Sequence, residues 1–218
     1  MNATLAAAAF AVALAAGSAE TLPTPELEGG IPAAIQTAPV KGVLSDRHRT
    51  VVGVTVGKHS LDGVMNILGR AAVVKLERAE GRPSVVCFRS GDPSDDTVVM
   101  FEAGPLGGFK QVTAISVGPS STFGAIQGSC KASKAISREA ANAGGISLGI
   151  AVEMVAQSVG SPIANTSAGL FEVAFEKTET IKESSSGKAW EVDTSSGLVG
   201  RARGGLVSWF SVYYTRSR

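Results

Sequence analysis

The sequence predicts an α+β fold of two tandem repeats, each a short helical layer packed on an antiparallel β-meander. A strand, loop and helix pattern at residues 53–69 recurs at residues 145–160. Short β-branched runs separated by Gly, Pro, Asp and Ser follow both copies, which is typical of antiparallel strands. Of the 218 residues, 44% are apolar and 18% are charged, so the chain has enough apolar side chains for a sizeable core.

The composition predicts five segments along the chain. Residues 1–19 are uncharged, apolar and end in small residues, which is typical of a secretory signal peptide, with an Ala-rich N-terminal helix as the alternative. Residues 20–42 hold four of the nine prolines and are expected to form an extended arm. Repeat 1 is expected at residues 43–118, a Ser-, Ala- and Gly-rich connector at 119–144, and repeat 2 at 145–218.

Net charge and hydropathy exclude several classes of partner. The net charge of +1 gives no field that would concentrate the chain on nucleic acid or on an anionic membrane. After the predicted signal peptide, no run approaches the roughly 20 apolar residues of a membrane-spanning helix. The sequence therefore predicts a periplasmic or secreted protein with no integral membrane segment.

One helix is predicted in each repeat from an apolar stripe at positions i, i+3, i+4 and i+7. The first stripe is Leu61, Val64, Met65 and Leu68, and the second is Val152, Val155, Ala156 and Val159. Ser60 is expected to cap the first helix, and Gly69 and Gly160 to end the two helices. Ala151 replaces the capping serine in the second copy, so that helix is expected to begin less firmly.

Strands are predicted at residues 71–78, 84–89, 97–102, 110–117, 170–177, 188–193 and 206–215, and the β-branched run at residues 50–56 fits a strand or an extended lead-in. A turn is expected at 194–205, because these residues are rich in Gly and Ser. Between residues 170 and 177, Phe171, Val173 and Phe175 alternate with Glu172, Ala174 and Glu176. This alternation predicts one buried and one solvated face.

The chain has two cysteines, Cys87 and Cys130. In an oxidising compartment an isolated pair forms a disulfide more often than a metal or catalytic site. We therefore predict a bridge that closes a loop of about 44 residues. Two buried free thiols are the alternative if the chain is not exported.

The two glycine-bounded cassettes with their strand runs resemble the repeat of the β-lactamase inhibitory protein and of the small lipoprotein of the outer-membrane β-barrel assembly machinery. The CFRSGD, VVMFEAGPLGG and VTAISV motifs are also similar to those of exported bacterial proteins with such repeats. The resemblance covers residues 51–117 and 145–214 and implies function through protein–protein contact. No Cys follows the predicted signal peptide to accept a lipid, and no β-lactamase-binding loop is identified, so neither property is carried over.

No pattern in the sequence indicates a catalytic, metal or cofactor site. His48 and His59 lie beside basic residues, without metal-ligand or triad spacing, and are expected to be solvated loop residues. The carboxylates Asp92, Asp95 and Asp96 lack the spacing of a calcium loop and fit a polar turn. We therefore predict a protein that is not an enzyme.

Aromatic residues near the C-terminus are the candidate binding surface. Trp190, Trp209 and Tyr213, bordered by Arg201 and Arg203, are of the types that anchor protein interfaces. Packing in the core and at a sheet edge is the alternative for the aromatic residues. The predicted function is a non-enzymatic exported module that binds a protein or envelope partner through an open sheet face. A small-ligand carrier or enzyme with a site between the repeats, or a structural envelope protein, are the alternatives.

Overall fold

A computed structural model describes residues 38–77, 82–166, 168–182 and 188–217. The predicted signal peptide and residues 20–37 of the predicted arm lie outside the described residues. In the described ranges the α-helices are α1 (Leu61–Leu68) and α2 (Val152–Val159), with short 3-10 turns at Asp46–Arg49, Pro105–Gly107, Ser120–Thr122 and Gly124–Ser129. None of these helices is long and apolar enough to cross a membrane.

Strands make up most of the regular structure. They are β1 (Val40–Lys41), β2 (Thr50–Val51), β3 (Val54–Thr55), β4 (Val74–Lys75), β5 (Ser84–Ser90), β6 (Thr97–Ala103), β7 (Ala114–Pro119), β8 (Lys131–Ser133), β9 (Ala164–Asn165), β10 (Leu170–Lys182), β11 (Ala189–Arg203) and β12 (Leu206–Ser217). Of these strands, β2 and β3 form a separate two-stranded sheet.

The other ten strands form one large mixed sheet, so the predicted fold class is wrong. Its order is β1-β10-β11-β12-β7-β6-β5-β4, with β8 beside β5 and β9 beside β10. Strands from the two predicted repeats join where Phe210–Tyr213 of β12 pair with Ala114–Val117 of β7. The strand pattern specifies which face is buried but not which strand is the neighbour, and pairing β12 with β7 removes two exposed sheet edges.

Both predicted helices are confirmed, with their ends. The Ser60 hydroxyl accepts a hydrogen bond from the Gly63 N–H at 3.1 Å, and Gly69 ends α1 with a φ of 92°. The second helix begins after Ala151 without a side-chain cap and ends at Gly160 in the left-handed conformation. The local chemistry of each helix is therefore legible from the sequence alone.

Much of the sheet is buried on both faces. The helices and the β2–β3 hairpin cover the first face, where α1 and α2 share a core with side chains such as Phe101, Ile115 and Phe210. On the opposite face, a smaller core surrounds Cys87, Met100, Phe123 and Trp209. We call this smaller cluster the second core.

The predicted turn at residues 194–205 is also wrong, because β11 continues to Arg203. Its glycines make room for side chains of neighbouring strands rather than for a turn. A Cβ on Gly197 would lie 2.6 Å from the Tyr213 hydroxyl, and one on Gly200 would lie 2.5 Å from the ring of Phe171. Glycine is required here by close packing across the sheet.

The predicted solvated face of β10 is wrong at two positions. Glu172 is only 1% exposed, and Ala174 is buried as well. The Tyr213 hydroxyl donates a hydrogen bond to Glu172 Oε1 at 3.3 Å. A buried carboxylate needs such donors, and this donor comes from β12, two strands away in the sheet.

Candidate functional site

The three longest strands extend past the rest of the sheet. The last residue of β12 that pairs with β7 is Tyr213, and the last residue of β10 that pairs with β1 is Glu176. Beyond these points, after one further hydrogen bond from the Tyr214 N–H to the Thr113 carbonyl, β10, β11 and β12 pair with no other strand among the described residues than one another. We call the projecting part, residues 177–182, 189–195 and 215–217, the sheet extension.

Exposed apolar side chains gather on one face of the sheet extension. Ile181 and Trp190 stand directly opposite each other in the β10–β11 register and are 39% and 41% exposed. Side chains of such a pair lie on the same face, about 5 Å apart at Cβ. Leu106, 59% exposed, lines the same 340 Å³ cleft as Ile181, with the buried Val192 also in its wall. We call Leu106, Ile181 and Trp190 the extension patch.

Charged groups border the extension patch. Arg216 lines the same cleft, and Lys177 forms an ion pair with Glu179 on β10. The hydrogen bond and charge of Lys177, together with the charge of Arg216, lower the pKa of Glu179. Glu179 is therefore ionised at neutral pH, and the patch has a polar rim of fixed charges, as protein interfaces do.

Two of the predicted binding residues lie on the opposite face of the sheet. Trp209 is 1% exposed and belongs to the second core, beside the Cys87–Cys130 disulfide. Tyr213 is partly buried, and its pKa is raised by burial and by the negative charge of Glu172. Tyr213 therefore keeps its proton and serves as the hydrogen-bond donor to that carboxylate.

The predicted arginines lie near the far end of β11. Arg201 pairs in register with Trp209, and its Nη1 donates to the Ala168 carbonyl at 3.3 Å. Arg203 is exposed at the last position of β11. Arg201 lies eleven positions along the strand from Trp190, about 36 Å at 3.3 Å per residue. The structure therefore does not bring Trp190 together with the other predicted binding residues.

A second concave region lies between the Asp46–Arg49 turn and the end of α2. Its volume is 780 Å³, and His48 forms part of its wall. The two ring nitrogens of His48 contact Ser45 Oγ at 2.9 Å and Ser158 Oγ at 3.1 Å. Ser158 Oγ donates to the Gly144 carbonyl at 3.0 Å. Since that bond uses the hydroxyl hydrogen of Ser158, the His48 Nε2–H donates to Ser158, and Nδ1 accepts from Ser45.

Through these contacts His48 links the first half of the chain to α2 and does not act as a catalytic base. We call the contacts of His48 with Ser45 and Ser158 the His48 clasp. A base that activates a serine must accept the proton of the hydroxyl, whereas the Ser158 proton is directed at Gly144. The neighbouring Arg47 donates from Nη2 to the Ser158 carbonyl at 3.1 Å, which satisfies an end carbonyl of α2. The prediction of a solvated loop residue is wrong for His48, which is 3% exposed.

Because of the His48 clasp, we expect the free energy of unfolding to decrease in mild acid. Burial, with a contribution from the charge of Arg47, lowers the pKa of His48 in the folded state. A His whose folded pKa is lowered stabilises the fold fully above its unfolded pKa of about 6.5, and this contribution is lost as the pH falls below that value. The loss is at most about 1.4 kcal/mol per pH unit for one proton. Asp46, Arg47 and Arg49 are the charged groups on the same turn.

Urea unfolding between pH 7.5 and 5 measures this dependence. The variant His48→Gln should show a shallower decline in stability below pH 6.5 than the wild type. Equal slopes for His48→Gln and the wild type would contradict the assignment.

The remaining candidates from the sequence have local structural partners. His59 Nδ1 accepts from the Thr55 N–H at 3.0 Å. Asp92 accepts from the Ser94 N–H, and Asp95 from the N–H groups of Thr97 and Arg138. Hydrogen bonds to such N–H groups lower the pKa of both carboxylates, against the opposing effect of burial. In the part of the chain that the structure describes, no group of three or more His, Cys, Asp or Glu side chains could hold a metal ion.

Sequence reasoning missed two members of the extension patch. Ile181 lies beyond the predicted end of its strand at residue 177. Lys177, Glu179 and Ile181 nevertheless stand at every second position, as side chains on one face of a strand do. Leu106 lies in the Gly-rich GPLGG segment between the predicted strands at 97–102 and 110–117. Its exposure depends on where the 3-10 turn at Pro105–Gly107 lies relative to the sheet, and the local sequence does not specify that position.

Comparisons with protein-family models, with curated proteins and with solved structures find no match for this chain. The resemblance to the β-lactamase inhibitory protein and the assembly lipoprotein therefore stays a prediction. The function is inferred from the geometry of the described residues.

Proposed function

We propose that the chain is a non-enzymatic exported interaction module that binds a protein or cell-envelope partner through the sheet extension. The observation that carries the proposal is the extension patch, three large apolar side chains, each at least 39% exposed, at one end of the molecule. Isolated apolar residues are common on surfaces, but a cluster containing Trp and rimmed by charges is typical of a binding site.

The disulfide supports an exported location. Cys87 and Cys130 are bonded to each other, and the described residues contain no free cysteine. Disulfides persist in oxidising compartments such as the periplasm and the extracellular medium. Together with the apolar N-terminal segment in the sequence, the bond favours a periplasmic or secreted protein.

The shape of the sheet extension supports binding rather than a role in folding. Most side chains of β10 beyond Phe175 and of β11 before Val192 are exposed. The sheet extension therefore adds little to the core while holding Ile181 and Trp190 on a hydrogen-bonded three-stranded scaffold. Rigid placement of apolar anchors lowers the entropy lost on binding.

Affinity capture from the native cell envelope tests the proposal. Trp190→Ala should weaken binding of the captured partner about 30-fold, because truncating a tryptophan hot spot costs about 2 kcal/mol or more. Met154→Ala is the matched control, since Met154 is 51% exposed but lies on α2, outside the sheet extension. It should leave capture unchanged.

Thermal unfolding separates lost binding from lost structure. Both variants are expected to unfold within about 2 °C of the wild type, because surface substitutions usually change stability by less than about 0.5 kcal/mol. Identical capture profiles for the wild type and Trp190→Ala would show that the extension patch is not the binding surface.

A further inference from the structure

The outer edge of β10 is covered along only part of its length. The short strand β9 pairs with Phe171 and Glu172, and β1 pairs with Phe175 and Glu176. Among the described residues, no strand pairs with residues 177–182 on that side. This stretch is a six-residue open edge on the sheet extension, next to the extension patch.

The opposite edge of the sheet is protected. There, β4 pairs with Ser84 and Val85 of β5, and β8 pairs with residues 88–90 of the same strand. Unpaired edges are a hazard that proteins usually cover or shorten. Two short strands cover the β5 edge almost completely, so the open edge of β10 contrasts with the edge at the other end of the strand order.

The backbone groups that face the open edge are identified by the last bond to β1. The Gly42 N–H donates to the Glu176 carbonyl at 2.8 Å, so Glu176 directs its backbone groups outward. Alternate residues of a strand direct these groups to the same side. Thr178, Thr180 and Lys182 therefore direct their N–H and C=O groups to the open edge.

Extending the proposed function, on which this inference rests, we propose that the partner supplies an extended segment that adds to residues 177–182 of β10 as the next strand. The outward N–H and C=O groups can all pair with the main chain of an added β-strand. Such main-chain hydrogen bonds give affinity, and the side-chain contacts of the added strand give specificity. A residue of that segment opposite Ile181 would extend the cross-strand row of Trp190 and Ile181. The segment is therefore expected to carry an apolar residue at that position.

A second copy of the chain fits the open edge less well. If two copies pair as antiparallel strands, the outward residues Thr178, Thr180 and Lys182 of one copy must stand opposite outward residues of the other. Within residues 177–182, two registers meet this condition with an overlap of five residues. With Thr178 opposite Thr180, the two Glu179 side chains face each other, and like charges in that position are destabilising. With Thr180 opposite Thr180, Glu179 faces the apolar Ile181 of the second copy. Neither register is complementary.

Charged side chains limit which strands can pair with the open edge. Lys177, Glu179 and Lys182 occupy three of its six positions. Charged side chains, lysines above all, discourage indiscriminate pairing between edges. An edge that is open but charged is therefore suited to a selected segment.

Peptide selection gives a direct test. Twelve-residue peptides from a random displayed library would be selected on the immobilised full chain, and the best binder measured by fluorescence polarisation. Thr180→Pro removes one outward N–H without removing a bond to β11 and should weaken binding about tenfold or more. Thr180→Ala keeps the N–H and is the matched control, expected within about twofold of the wild type.

Amide hydrogen exchange on the wild-type complex gives a reading that needs no variant. The peptide should protect the N–H groups of Thr178, Thr180 and Lys182 and leave that of Met154 on α2 unchanged. No protection of the three edge amides would overturn the inference even if Thr180→Pro failed to fold. Failure of the library to yield any binder would also count against it.

The variants distinguish this inference from the proposed function. Loss of peptide binding in Trp190→Ala but not in Thr180→Pro would overturn strand addition and leave the extension patch as the binding surface. Unchanged binding in both variants would overturn both proposals. A concentration-dependent dimer that Thr180→Pro abolishes would show that the occupant is a second copy, contrary to the inference.

Discussion

Trp209→Ala is expected to lower the free energy of unfolding by about 3–5 kcal/mol, the usual cost of truncating a buried aromatic residue. Trp209 is 1% exposed and packs in the second core with Met100 and the Cys87–Cys130 disulfide. The truncation would leave a cavity bordered by β-strands, which cannot move together without breaking ladder hydrogen bonds. Equilibrium urea unfolding followed by circular dichroism measures the loss.

Trp190→Ala is the matched comparison, because it makes the same chemical change on a neighbouring strand. Trp190 is 41% exposed, so its truncation should cost less than about 0.5 kcal/mol. The two tryptophans are thus predicted to have opposite phenotypes, one in stability and one in binding. A Trp209 variant that folds with wild-type stability but loses its partner would contradict the assignment of Trp209 to the core.

The helices were predictable because their determinants are local. The stripe Leu61, Val64 and Leu68, the cap at Ser60 and the stop at Gly69 all lie within ten residues of sequence, and the structure has them as expected. Helix hydrogen bonds form within one segment, so its own side chains largely decide where it begins and ends. The same reasoning located α2, including its missing cap.

The sheet was not predictable because its hydrogen bonds join distant segments. Apolar alternation identified most strands but not the pairing of β12 with β7, which are about 100 residues apart in the chain. The apparent repeat of the helical cassettes favoured two separate meanders. One continuous sheet instead pairs the inner edges of both halves, an energetic benefit that no local pattern expresses.

Close packing between strands explains the errors in the second half. Gly197 and Gly200 favour a turn when only local conformational freedom is considered. In the structure they accommodate Tyr213 and Phe171 from the adjacent strands. Glu172 likewise favours a solvated face until Tyr213 is known to supply its hydrogen bond. Each case depends on a residue of another strand.

Composition identified the aromatic residue types of the candidate site but not their arrangement. Trp190 and Trp209 are close in sequence, yet one lies on the sheet extension and the other in the second core. The extension patch forms because β10 and β11 outlast their neighbours, which places Ile181 opposite Trp190. How far a strand continues past its last neighbouring strand depends on the assembled sheet. This length decides which of its side chains are exposed.

The disulfide is expected to contribute about 4 kcal/mol to stability. Its cysteines are 43 residues apart, and closing a loop of that size removes about this much conformational free energy from the unfolded chain in the entropy model. For a chain of 218 residues, the double variant Cys87→Ala and Cys130→Ala should unfold about 10 °C below the wild type. Calorimetry of both proteins measures the difference.

Reductant supplies the control for this prediction. Reduced wild type should unfold near the temperature of the double variant, whereas reductant should not affect the double variant.

Because Trp209 packs beside the bridge, the losses from Trp209→Ala and from bridge removal should not add, and a double-mutant cycle should give a coupling of about 0.5–3 kcal/mol. Strict additivity would show that the bridge acts only on the unfolded chain. A stability unchanged after complete reduction, verified by thiol titration, would show that the bridge does not restrict the unfolded chain as proposed.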